Sequence, residues 1–295
     1  MYASPFEYAR AGSWAEAVER IADGGEDARA IAGGQSLAPM MMLRMSEPAL
    51  LVDVGGAAPR AIERRNGTLL VPALARHADL EASAEAWKAF AALPEAAACI
   101  GNVRVRHRGT IGGSLAHADP SAELPCVAVA ARAHVRTLGP SGERTVPAAE
   151  LFVSHFTTTL EHGELITHVE VPALREGEGC AFAELVRRPG DFATVEACAV
   201  VQLDAGGRCS EARLVVGATA DRPLDVTEAI GALRGEEPEA AAEAAARAAA
   251  AAVEIGPSAH GSEEYRREMV AVFARRALLA AAARARGEED GTWSA

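Results

Sequence analysis

Apolar residues recur along this chain in two periods, and the changes of period mark out its elements. Trp14, Ala17, Val18 and Ile21 fall at helical spacing behind Ser13, whose hydroxyl precedes Glu16 by the spacing of a capping box. The helix this predicts stops at Gly24-Gly25. Ala28 to Ala32 reads as a short buried strand, Leu37 to Arg44 as a helix, and Leu50 to Val54 as a strand closed by Gly55-Gly56. Together they predict a β-α-β lobe over residues 1–55.

Further on, Leu69 to Leu74 reads as a strand, and a helical stretch opens at His77 and runs through Phe90. Pro94 to Ile100 reads as a helix capped by Gly101-Asn102, after which Val103 to Arg108 alternates. Pro125 to Ala130 is apolar throughout, helical or buried. Ala133 to Leu138 and Glu164 to Val171 alternate as strands, the second halted by Pro172. The polar stretch Ala173 to Gly179 is the best domain boundary. Beyond it come three strands, Cys180 to Val186, Ala193 to Leu203 and Ser210 to Ala218, and then helices over Val226 to Leu233, Pro238 to Val253 and Ser262 to Arg286. The fold class expected is α+β. It comprises lobes at 1–55 and 56–174, a three-stranded sheet with a helical layer at 175–290, and a tail at 291–295.

Two stretches break the periodic pattern in the same way. Ala32-Gly33-Gly34-Gln35-Ser36-Leu37 follows Ala30-Ile31, and Thr110-Ile111-Gly112-Gly113-Ser114 follows Gly109. Paired glycines let a ligand approach the main chain closely, and successive N–H groups in such a turn form a nest that suits a phosphate. Two similar nests point to a diphosphate gripped from both sides; ordinary glycine turns are the alternative for either one alone. Neither stretch is a G-x-G-x-x-G fingerprint or a G-K-[ST] phosphate loop, so a nicotinamide-type Rossmann domain and an ATPase are disfavoured.

Composition narrows this further. Apolar residues make up 49% of the 295, charged residues 24%, and the net charge is −12, without the basic patch that nucleic-acid binding requires. No apolar run approaches membrane-spanning length, and the first residues lack the basic and apolar regions of a signal peptide, so a cytoplasmic location is expected. The five cysteines form no C-x-x-C pair. They read as small buried hydrophobes, and any metal or cluster is expected on another chain.

AGGQSLAPMMMLR (Ala32 to Arg44), GNVRVRHRGTIGGSLAHADPSAELP (Gly101 to Pro125) and RRPGDFA (Arg187 to Ala193) resemble the FAD-binding medium subunit of the aerobic carbon monoxide dehydrogenase type. That family belongs to the molybdenum hydroxylases, with xanthine dehydrogenase as a relative. The resemblance runs over essentially the whole chain. It implies a two-lobed FAD domain of the vanillyl-alcohol-oxidase type and a C-terminal α+β domain. FAD pyrophosphate contacts are implied through the backbone N–H groups of Ala32, Gly33, Gly34, Gln35 and Ser36, with Leu37 following, and of Thr110, Ile111, Gly112, Gly113 and Ser114. Ile100 matches an apolar cofactor contact, Glu123 an acidic position that hydrogen-bonds FAD, and Asp119 is a further candidate. Phe192 matches an aromatic expected to lie against the flavin ring and gate access to it; a core aromatic at the start of a strand is the other reading.

There are two departures. Glu184 stands where a basic residue is frequent, and Gln35 where carbon monoxide dehydrogenases often have His. The resemblance implies a large partner subunit with the molybdopterin cofactor and a small partner with [2Fe–2S] clusters, assembled as a dimer of heterotrimers. Electrons would run from molybdenum through the clusters to this FAD and on to a quinone, oxygen or NAD. A stand-alone FAD-dependent oxidoreductase of the same fold is the main rival, and a non-catalytic assembly subunit the third reading. The substrate, whether carbon monoxide, a purine, an N-heterocycle or an aldehyde, is not encoded here.

Overall fold

A computed structural model describes residues 2–288, so the expected tail at 291–295 lies outside the described residues. The first lobe runs β1 (Glu7–Arg10), α1 (Trp14–Asp23), β2 (Ala28–Ile31), α2 (Leu37–Met42) and β3 (Leu50–Asp53). β3 lies in the middle, paired in parallel with β1 on one side and β2 on the other. β1, with the sequence Glu-Tyr-Ala-Arg, has no apolar pattern of its own and is fixed by its register against Leu50–Asp53.

The predicted helix start at Ser13 is present in a variant form. Ser13 Oγ accepts from the Glu16 N–H at 3.2 Å, and Glu16 reaches back to the N–H of Gly12, not Ser13, at 2.7 Å. α1 turns Ala17 and Ile21 onto Ala28, Val52 and Val54. This core is small, and Leu74 completes it from the next lobe.

The second lobe opens with β4 (Glu63–Arg65) and β5 (Thr68–Pro72). Six helices follow: α3 (His77–Glu81), α4 (Ala84–Ala89), α5 (Ala92–Cys99), α6 (Val103–Arg106), α7 (Ile111–His117) and α8 (Glu123–Ala130). It closes with β6 (His134–Gly139), β7 (Gly142–Pro147), α9 (Ala148–Leu151), β8 (Phe152–Ser154), β9 (Thr157–Thr158) and β10 (Leu165–Pro172). Its main sheet is antiparallel, in the order β4-β5-β10-β6-β7. α5 and α8 are buried almost along their whole length against the rest of this core.

Two local expectations change. Val103–Arg106 is a turn of helix rather than an alternating segment, because Asn102 Oδ1 accepts from the N–H groups of Arg104 and Val105 and caps its start. Asn102 therefore opens α6, while Gly101, at φ +50°, ends the preceding stretch. The second glycine stretch is the first turn of α7 rather than a loop, with Thr110 as its N-cap.

The C-terminal part holds β11 (Glu178–Leu185), β12 (Val195–Leu203), β13 (Cys209–Gly217) and a two-residue edge strand β14 (Leu224–Asp225). The three long strands are those expected, and β14 extends the antiparallel sheet by pairing with Val215 and Val216. A 3-10 turn at Thr227–Leu233, α10 (Pro238–Ala252) and α11 (Glu263–Ala285) cover one face. The other face, through Cys180, Cys198, Val200 and Val215, joins the second lobe's core. Glu95 of α5 pins this junction: it pairs with Arg284 of α11 and accepts from the Phe182 N–H at 3.0 Å.

Candidate functional site

A cleft of about 790 Å³ runs between the first lobe, the second lobe and the turn at residues 190–192, within the usual size of ligand pockets. Its first wall is Ala32 to Leu37, at the exit of β2. Gly34 takes φ +70°, a conformation glycine adopts without penalty. The Gln35 side-chain amide donates to the Gly33 carbonyl at 3.1 Å and closes the turn. Among the described residues, the N–H groups of Gly33, Gly34, Gln35 and Ser36 donate to no protein acceptor. Such a run of undonated N–H groups is an anion nest.

The facing wall is built differently. Ile111 N–H donates to Ala75 O at 3.1 Å, Gly112 N–H to Ala73 O at 2.9 Å, and Gly113 N–H to Thr110 Oγ1 at 3.1 Å. Ser114 N–H donates to Thr110 O at 3.0 Å. The expectation that Ile111, Gly112, Gly113 and Ser114 offer backbone N–H groups to a pyrophosphate is therefore corrected: those donors are already spent. The Ile111 side chain is 1% exposed and belongs to the core, not the cleft. Thr110, Gly112, Gly113 and Ser114 do line the cleft, with two hydroxyls and a bare glycine surface.

The glycines answer to packing. A Cβ on Gly33 would stand 2.3 Å from Arg108 O, and one on Gly112 would stand 2.5 Å from Ala73 Cβ. Packing by itself therefore requires glycine at both positions.

At the far end, Ile100, Asp119, Glu123 and Phe192 all line the cleft. Phe192 is 65% exposed, which excludes the core-aromatic reading. Gly190, at φ +84°, lets its turn rest on Gly101, since a Cβ there would stand 2.6 Å from Gly101 O. Asp119 Oδ1 accepts from the Ser121 N–H at 2.9 Å. Glu123 is nearly buried; burial pushes its carboxyl up to about 8, against the pull of its own N–H and with Glu184 and Asp119 adding to the rise. Glu184 lies behind the wall rather than on it, bonded by the Cys99 thiol.

His77 and the Glu161 to Glu164 rim carried no sequence signal of the site, whereas His117 and Arg106 lie within the Gly101 to Pro125 motif. His77 is 5% exposed beneath Gly109; burial lowers it to about 4, with Arg76 and Arg106 adding to the fall, so it is neutral near pH 7. His117 packs against Phe156 with tilted rings 5.0 Å apart, and burial lowers its pKa against the charge of Asp119. Glu161 to Glu164 forms part of the rim, where Glu164 is held at about 2: burial opposes ionisation but Arg144, Thr137 and the Glu161 N–H overcome it. Arg106 is structural, paired to Glu81 at 2.8 Å and donating to the carbonyls of Ile100 and Gly101.

Comparison with known proteins agrees with this architecture. Residues 4–174 match the FAD binding domain of molybdopterin dehydrogenases, and residues 180–281 match the CO dehydrogenase flavoprotein C-terminal domain. The chain is 44% identical to the 6-hydroxypseudooxynicotine dehydrogenase complex subunit alpha of Paenarthrobacter nicotinovorans, over 97% of both chains. It is 37% identical to the carbon monoxide dehydrogenase medium chain of Hydrogenophaga pseudoflava, over 95% of this chain and 98% of that one. Among solved structures, carbon monoxide dehydrogenase from Hydrogenophaga pseudoflava superposes with a TM-score of 0.92 at 37% identity, covering 96% of this chain and 99% of that one. Quinoline 2-oxidoreductase from Pseudomonas putida 86 does so with 0.91 at 35% identity, covering 97% and 99%.

Proposed function

We propose that this chain, which belongs to the FAD-binding medium subunits of the molybdenum hydroxylase family, passes electrons from the [2Fe–2S] clusters of a small partner subunit to an external acceptor. The observation that carries the reading is the cleft itself. One end offers four undonated N–H groups at Gly33 to Ser36, and the other ends at an exposed aromatic, Phe192. That polarity suits a dinucleotide with its phosphates at one end and its ring at the other.

The flavin supplies the redox chemistry, and the protein supplies binding, orientation and electrostatics. In this reading the Gly33 to Ser36 nest holds the diphosphate, and the hydroxyls of Thr110 and Ser114 face it from the second wall. Glu123, kept protonated by burial, donates a hydrogen bond where an ionised carboxylate would repel an electron-rich ring. Phe192 covers the ring edge and decides which acceptor approaches. A large molybdenum subunit chooses the substrate, and the assembly is a cytoplasmic dimer of heterotrimers. The lobes at 1–55 and 56–174 clamp the cofactor, and the domain from residue 175 closes the ring end.

Native co-purification tests this. The expected product is a yellow complex whose iron and molybdenum co-elute with this chain. A yellow monomer that turns over substrate with neither metal would overturn the relay. A colourless protein that takes up no added FAD would overturn the site.

A further inference from the structure

Three carboxyl side chains cluster at the cleft wall, Glu123 on it and Glu184 and Glu196 behind it. Glu184 of β11 and Glu196 of β12 are direct cross-strand partners, and Glu196 lies opposite Gly217 of β13. A Cβ on Gly217 would stand 2.3 Å from Glu196 Oε2, so the glycine provides the space that this carboxyl occupies. Glu123 approaches from the first turn of α8, which packs on β12 and β13. Glu196 is 0% exposed with neither oxygen hydrogen-bonded, and Glu184 Oε2 is likewise buried and unpartnered.

The other titratable groups that face the row are Asp119 ahead of α8, Cys126 on α8, Cys198 on β12 and Cys99 at the end of α5. Among the described residues, no cation acts on Glu123, Glu184 or Glu196. No group of three His, Cys, Asp or Glu side chains among the described residues could hold a metal ion. A buried carboxylate without donor or counter-ion is too costly to persist, so Glu196 carries a proton. Burial pushes Glu184 up to about 7 and Glu196 well above the ordinary carboxyl range.

We propose that Glu123, Glu184 and Glu196 form a triad of proton-holding carboxyls that serves the cleft, with Glu123 as the member that gives its proton there and the buried Glu184 and Glu196 strengthening its hold on that proton. The proposal rests on the FAD reading above. Two-electron reduction of a flavin adds two electrons and one or two protons to the ring. The electrons come from the partner's [2Fe–2S] clusters in the proposed complex, and from dithionite in the test below; one proton leaves the Glu123 carboxyl for the ring, any second proton comes from solvent, and solvent reprotonates Glu123 through the cleft. Glu184 and Glu196 act through Glu123 and are positioning residues.

Redox-difference infrared spectroscopy on the FAD-loaded protein, reduced with dithionite in H2O and in D2O, tests the triad. Only a protonated carboxyl shows the carbonyl stretch concerned. In the wild type that band should change on flavin reduction and move on deuteration. Glu196→Gln and Glu184→Gln should each remove part of it while flavin content and the far-ultraviolet circular dichroism are retained. A fully FAD-loaded wild type with no redox-linked carboxyl band would overturn the triad and leave the FAD reading standing. Failure to load FAD would overturn the FAD reading instead. If either variant fails to fold, the wild-type deuteration shift decides by itself.

Discussion

Gly33 lies against the carbonyl of Arg108 so closely that a Cβ there would stand 2.3 Å from the oxygen. The two glycine-containing walls of the cleft thus touch backbone to backbone, and packing requires glycine at position 33. Gly33→Ala and Gly112→Ala should each lower the stability of the cofactor-free protein by about 1–3 kcal/mol through overpacking. Thermal denaturation without FAD measures this. Gly113→Ala separates packing from FAD binding, because its Cβ meets only Thr110 Oγ1, at 2.8 Å. It should cost about 1 kcal/mol through the disturbed cap, yet weaken FAD binding at least tenfold.

The Gln35 amide staples the nest by donating to Gly33 O. Gln35→Ala should leave the melting temperature near wild type and weaken FAD binding by roughly five- to tenfold, the worth of one hydrogen bond of about 1 kcal/mol. Titration of the quenched flavin fluorescence reads this directly.

Acid and alkaline limbs of stability have different owners. Glu164, held at about 2, is ionised in the folded protein while an unfolded glutamate takes up a proton near 4.5. Its contribution is complete above that value and is lost as pH falls toward 2. His77, neutral until about 4, adds to the same limb from 6.5 downward, because only the unfolded chain binds the proton easily. Glu123 and Glu184 act with the opposite sign. Their folded values of about 8 and 7 exceed the 4.5 of an unfolded glutamate, so stability falls as pH rises between 4.5 and 8. Urea unfolding of the cofactor-free protein across this range should show Glu164→Gln flattening the acid limb and Glu184→Gln the alkaline one.

Phe192 is exposed and no core depends on it. Phe192→Ala should change stability by no more than about 0.5 kcal/mol. If the ring covers the flavin, reoxidation of the reduced protein by oxygen should be several-fold faster in the variant, as followed by stopped-flow absorbance. An unchanged rate would remove Phe192 from the gating role.

Glu95 joins the second lobe to the C-terminal part through Arg284 and the Phe182 N–H. Glu95→Ala should cost about 1.5–3 kcal/mol, the range for hydrogen bonds to a charged group, since the pair is partly exposed and Arg284 keeps its bond to Cys180 O. Limited proteolysis should then cut the 173–179 connection faster than in the wild type.

Much of this was legible in the chain because it is local. Ser13 capping α1, β2 running into the first glycine stretch, and the three long C-terminal strands are each announced by neighbours in sequence. Val103 to Arg106 was not, since four residues cannot separate a helical period from alternation and Asn102 decides between them. The second glycine stretch misled for a related reason. Glycine disfavours helix interiors, yet the helix there needs Gly112 to pass Ala73. The triad is invisible in sequence, because Glu184, Glu196 and Gly217 become neighbours only through strand register. Phe192 and Glu123 were found through motif resemblance, whereas His77 and the Glu161 to Glu164 rim reach the cleft by tertiary folding alone.

The first lobe holds its sheet with a core of Ala11, Ala17, Ile21, Ala28, Val52 and Val54, completed by a leucine lent from outside. So little apolar surface makes this lobe the part of the molecule that opens most readily on its own. A dinucleotide bridging the two walls would hold that lobe shut and lengthen the lifetime of the whole chain. Copies that never acquire a flavin should then be the first that proteases can grip.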